Sequence, residues 1–194
     1  MKTLFFNPFQ KYSDRILLIF GLSFSLIGIA LGFAFNARFD GFIDLHFVEN
    51  TSFSQPLFDT VINTLCGTLI FFIFGKLINK KTRIIDILTT CLIAKIPFYL
   101  IPFTNINQLV FNTTSQMISE INPEKINSIS TADMMILMIL AIITILIIIW
   151  SIILLFNGFK TATNSKEAKH TILFILGIII TEVISKILIL TFIK

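Results

Sequence analysis

Charge is scarce in this sequence: Asp, Glu, Lys and Arg make up only 13% of its 194 residues. With 55% apolar residues and a mean hydropathy of +0.91, that scarcity excludes a water-soluble globular chain. The sequence has only two cysteines and two histidines. Cys66 and Cys91 each fall about 10 Å from opposite ends of their apolar runs at helical rise, so no disulfide is expected between them. Neither His46 nor His170 lies within an apolar run, which leaves an intramembrane serine protease without a base. His46 and Glu49 alone do not make a metal site. No P-loop, His-Glu-x-x-His helix or Gly-x-Ser-x-Gly elbow occurs, so no catalytic residue, cofactor or metal is expected. The net charge of +4 comes from Lys and Arg scattered between apolar runs, with no patch beside exposed aromatics, so nucleic acid is not expected as a partner.

Long apolar runs are abundant. Five reach membrane length, at about 16–37, 61–78, 84–103, 134–159 and 171–193. None alternates polar and apolar residues as a barrel strand would, and a backbone in lipid must satisfy its own hydrogen bonds, so each run predicts a helix. The fold class expected is all-α, a polytopic bundle of five transmembrane helices forming one membrane domain over 1–194, with the lipid bilayer as its solvent and first partner.

The charges between the runs orient that bundle. Lys2, Lys11 and Arg15 precede the first run, Lys76, Lys80, Lys81 and Arg83 separate the second from the third, and Lys160, Lys166 and Lys169 separate the fourth from the fifth. The intervening segments are acidic: Asp40, Asp44, Glu49 and Asp59 outnumber Arg38, and Glu120, Glu124 and Asp133 outnumber Lys125. By the positive-inside rule the N-terminus is cytoplasmic and the C-terminus, at Lys194, is outside. The first run is longer than a signal-peptide core and no small-x-small site follows it, so it is expected to stay uncleaved. Segments 38–58 and 104–133 read as outer loops, each with an Asn-x-Ser/Thr triplet, at Asn50 and Asn112. Leu4, Phe5, Phe6 and Phe9 with Lys11 and Arg15 suit either an amphipathic segment at the inner interface or a disordered lead-in.

Four ionisable residues lie within the runs: Asp86 and Lys95 in the third, Glu182 and Lys186 in the fifth. Each costs on the order of 3 kcal/mol to insert, so each needs a partner. Lys95 and Glu182 both sit about 16 Å from the inner ends of their runs, which predicts an ion pair near the midplane that Lys186, one turn on from Glu182, can share. Asp86 falls near the interface, where water can reach it. The cluster is either glue that fixes helix register or a proton or ion pathway. Pro97 and Pro102 predict a kink beside Lys95.

Gly21, Ser25, Gly28 and Gly32 recur at helical spacing and give the first helix a small-residue packing face, for contact within the chain or in a homo-oligomer. Trp150 reads as an interface anchor.

Several segments resemble the membrane domain of the Yip family (Ypt/Rab-interacting proteins). They are Asn7-Pro8-Phe9, the basic second loop leading into Ile85-Asp86-Ile87-Leu88, Ala94-Lys95-Ile96-Pro97-Phe98, and Trp150 followed by Leu155-Phe156-Asn157-Gly158-Phe159-Lys160. The likeness covers nearly the whole chain. The long cytoplasmic N-terminal region of eukaryotic Yip proteins has no counterpart here, so the resemblance implies the bacterial branch, in the inner membrane. It further implies a non-catalytic scaffold that organises membrane partners or lipids. The alternative from the residues themselves is a small ion-coupled permease using Lys95, Glu182 and Lys186.

Overall fold

The structure is a computed structural model that describes residues 5–119, 130–165 and 167–192. Lys2, Glu120, Glu124, Lys125, Lys166 and Lys194, which bear on the orientation, and Leu4 of the N-terminal segment lie outside the described residues. Among the described residues five helices are long and apolar enough to cross a membrane, and the chain is a multi-pass integral membrane protein with an all-α fold. In chain order they are α1 (Asp14–Ala34), α2 (Ser54–Ile78), a broken span made of α3 (Ile84–Ala94), a 3-10 segment (Phe98–Gln108) and α4 (Leu109–Ser119), then α5 (Thr131–Thr163) and α6 (Lys169–Phe192). Two short antiparallel strands, β1 (Ala37–Arg38) and β2 (His46–Phe47), close the α1–α2 connection. The end of the bundle carrying Arg15, Lys76, Arg83, Lys160 and Lys169 is called the basic end below, and the end carrying the strands the hairpin end.

α3 is the central element. It packs against α1, α2 and α5, while α6 packs on α2. Its residues Thr89–Ala94 are all buried, so side chains such as Thr89 and Thr90 face protein on a helix whose sequence reads as lipid-compatible. The small-residue face of α1 lies inside the chain. A methyl group on Gly21 would sit 2.7 Å from Leu92 Cβ and one on Gly32 2.9 Å from Pro56, while Gly28 lies flat against the Tyr99 ring. Ser25 donates to Gly21 O at 2.9 Å and faces the Tyr99 hydroxyl at 3.4 Å. Helices approach this closely only where side chains are absent or small.

Three boundaries differ from the hydropathy reading. α2 starts at Ser54, not near 61, where a polar turn leads into it: Ser52 N and Thr51 Oγ1 both donate to Gln55 Oε1, and Pro56 sits in the first turn where its missing N–H costs nothing. Segment 104–133 is not an open loop over its described part, since it completes the 3-10 segment and forms α4; Asn112 therefore lies in a helix, while Asn50 stays in an exposed loop. α5 begins at Thr131, capped by Ser130 Oγ, which accepts from Ala132 N at 3.2 Å. Its buried residues, from Ser151 to Thr163, are confined to the half nearer the basic end.

The third run breaks where the prolines predict. α3 ends at Ala94 with Lys95 as its C-cap, Pro97 has no N–H to continue the ladder, and the chain tightens into the 3-10 segment containing Pro102. Asn107 and Gln108 then take left-handed backbone angles. Asn105 secures the turn by donating to Phe35 O at 3.0 Å and accepting from Phe111 N at 3.0 Å. The N-terminal segment lies along α5 toward the basic end. Trp150 Nε1 donates to Phe5 O at 2.8 Å and Asn157 Nδ2 to Phe6 O at 2.7 Å. Trp150 therefore holds the N-terminal segment at Phe5, and it lies thirteen residues before the end of α5 at Thr163, deeper than the interface expected of an anchoring tryptophan.

Candidate functional site: a loop inserted among the buried charges

Segment 38–45 is not a solvated loop. Phe39 and Phe42 are buried, and the Phe42 ring packs against Phe71 of α2 at a centroid distance of 6.2 Å and covers Gly67. The segment drops from the hairpin end into the helix bundle, which obliges the protein to supply hydrogen bonds to backbone that lipid and water cannot serve. Three polar side chains of the spanning helices meet that need. Asp59 Oδ2 accepts from Phe39 N at 3.2 Å, Asn63 Nδ2 donates to Phe39 O at 2.7 Å, and Glu182 Oε2 accepts from Ile43 N at 2.8 Å. Gly41 leaves room for the same carboxylate, because any Cβ there would collide with Glu182 Oε1.

Asp59 also takes a bidentate contact from Arg38, with Nε at 2.6 Å and a terminal nitrogen at 3.0 Å. Its side chain is fully buried, so the pair offsets the cost of two desolvated charges through geometry that satisfies both. The hydrogen bond to Asp59 holds the Arg38 guanidinium above its ordinary pKa. Nearer the rim, Lys186 pairs with Asp44 and His46 pairs with Asp40.

The expected Lys95–Glu182 ion pair does not form. Matching depth does not make two residues lateral neighbours: α6 packs on α2, and Phe42 and Ile43 of the inserted loop meet Lys95 and Glu182 respectively. The Lys95 ammonium lies 5.1 Å from the centroid of the Phe42 ring, a cation–π contact, and has no ion pair or hydrogen bond to a described residue. Lys95 is 3% exposed. The void beside it, lined by Phe42, Phe98 and Ser151 among others, measures about 10 Å³, the threshold for a single water. Lys186, expected to share Glu182, is taken by Asp44.

Asp86 belongs to a separate group at the basic end. Arg83 holds it through Nε at 2.9 Å and a terminal nitrogen at 2.6 Å, and the same nitrogen reaches Asp14 of α1 at 2.5 Å. Those hydrogen bonds, Asp86 first, hold the Arg83 guanidinium above its ordinary pKa.

Hydropathy places Asp59 in the outer loop as a topology marker and gives Asn63 no role. The available signal was their i, i+4 spacing at the start of an apolar run, which puts both on one face. Cys66 and Cys91 are free and buried. Among the described residues no three His, Cys, Asp or Glu side chains converge as a metal site would require. The chain matches no protein-family model, no curated protein and no solved structure.

Proposed function

We propose that this chain is a non-catalytic membrane scaffold of the Yip type, seated in a bacterial inner membrane with its basic end and N-terminus in the cytoplasm, that organises membrane partners or lipids through its helices. The observation that carries this reading is the employment of Glu182: the carboxylate that a transport pathway would use is hydrogen-bonded to the Ile43 amide and holds a loop in place. The Arg38–Asp59 pair and Asn63 serve the same loop. The sequence segments resembling Yip proteins support the family, and the basic residues at one end support the orientation.

A second reading, a small ion-coupled permease, is favoured by one observation. Among the described residues Lys95 is a buried cation without an ion pair, and the buried hydroxyls of Thr64, Ser151 and Thr181 have no hydrogen-bond partner. The two readings separate in liposomes holding the full chain. The scaffold predicts proton and ion flux no greater than in empty liposomes; flux in the wild type that disappears in a well-folded Glu182→Gln protein overturns it.

A further inference from the structure

A groove of 460 Å³ opens between the N-terminal segment, α1, the α3 break and α5. Its walls are apolar: Phe5 and Pro8 on one side, Ile16 and Phe20 of α1 on another, Ile96 and Trp150 closing the rest. Ile16 and Phe20 are exposed at its edge, and both belong to a membrane-spanning helix, so the groove opens toward lipid. Its size falls in the range of about 300–1,000 Å³ usual for ligand pockets. Leu17 forms part of this wall and also part of a second, polar cavity of 170 Å³ at the basic end.

The second cavity brings together Arg83, Asp14, Asp86 and three threonines. Two of these hydroxyls are engaged, Thr90 with Asp86 O and Thr161 with Asn157 O. The third, Thr89, is 3% exposed and its hydroxyl has no partner among the described residues. A guanidinium and a free hydroxyl donor suit a phosphate, while two carboxylates against one arginine leave a net negative charge that suits an ammonium and disfavours a purely anionic head group. Together the cavities offer an apolar slot for a hydrocarbon chain and a polar mouth of both signs.

We propose that this double cavity binds one aminophospholipid from the bilayer, an acyl chain in the apolar groove and the phosphate and ammonium of its head group at Arg83, Thr89, Asp14 and Asp86. The inference rests on the scaffold reading in its lipid-organising form and gives it a ligand class. The N-terminal segment acts as the outer wall of the groove, held by Asn157 and Trp150, so release of that wall loosens the lipid.

Trp150, the single tryptophan of the chain, lines the groove and reports its occupancy directly. The full chain in detergent is titrated with phospholipids carrying brominated acyl chains, which quench indole on contact, with ethanolamine, choline or glycerol head groups, and with a brominated fatty acid. The expected result is saturable quenching, with half-saturation for the ethanolamine lipid at least about fivefold lower than for the glycerol lipid or the fatty acid. Ile96→Phe, which fills the groove, and Asn157→Leu, which frees the wall, are each expected to raise half-saturation, Arg83→Gln, which removes the phosphate donor, to raise it for every phospholipid, and Asp14→Asn, which takes one carboxylate from the exposed mouth, to abolish the preference for ethanolamine over glycerol. Quenching that rises without saturation, or that saturates equally for all head groups, overturns the proposal, as does indifference to both Ile96→Phe and Arg83→Gln in proteins whose melting temperatures match the wild type. Because no flux is read in this titration, its failure leaves the liposome result, and the scaffold reading that depends on it, standing separately.

Discussion

The Glu182 carboxylate on the last spanning helix accepts a hydrogen bond at 2.8 Å from the amide of Ile43, 139 positions earlier in the chain. That contact ties the segment between the first two spans to the helix that ends the bundle. It also explains why a glycine precedes it at position 41, where the carboxylate occupies the space of a Cβ.

The first prediction follows from that contact. Glu182→Ala leaves the Ile43 amide without its acceptor and is expected to cost about 1–3 kcal/mol in detergent, whereas Glu182→Gln keeps an acceptor oxygen and costs less. Gly41→Ala alone is expected to destabilise by about 1–3 kcal/mol through overpacking. Combined with Glu182→Ala it should cost clearly less than the sum, because the group it collides with is gone. Additive losses in thermal melts of the four proteins contradict the contact.

The Arg38–Asp59 pair makes a second test. Asp59→Ala strands a buried guanidinium and removes an acceptor from Phe39, for an expected loss of about 3–5 kcal/mol. Arg38→Leu in the same protein removes the stranded charge and should recover a good part of that loss. A double variant as unstable as the two single losses combined would show that the charges act independently.

Lys95 gives a prediction of opposite sign. Its ammonium has the Phe42 ring as partner and no ion pair with a described residue, so the isosteric Lys95→Met exchanges a desolvated charge for an apolar side chain of similar volume. Stability is expected to stay equal or to rise. A marked fall in melting temperature means that the cation holds a contact more valuable than cation–π attraction, which is worth about 2 kcal/mol when desolvated.

The five spans were legible because hydropathy integrates over a whole helix, and residues such as Ile139 to Ile149 leave no alternative in lipid. The break beside Lys95 was legible from Pro97 and Pro102, whose effect is local and chemical. The inserted loop was not. Residues 38–45 mix three charges with three Phe or Leu side chains, and local polarity says nothing about whether helices elsewhere will bond their backbone. Lys95 and Glu182 show the same limit in another form. Rise per residue gives depth along a helix, but which helices are neighbours depends on long-range packing that one sequence does not state.

A fourth prediction concerns the break. Asn105→Ala removes both the donor to Phe35 O and the acceptor for Phe111 N, and is expected to cost about 1–3 kcal/mol. It should also expose the connection between the 3-10 segment and α4 to limited proteolysis while leaving α1 and α2 protected. Cleavage unchanged from the wild type would show that the prolines alone fix the turn.

Whether the loop between the first two spans is held inside the bundle is measured directly by amide hydrogen exchange on the full chain in a bilayer. The amides of Phe39 and Ile43 are expected to exchange far more slowly than that of Asn50 in the exposed stretch beyond β2, and Ile43 is expected to lose its protection selectively in Glu182→Ala. Exchange at Phe39 and Ile43 as fast as at Asn50 in the wild type would place the loop in water and remove the structural role assigned to Glu182.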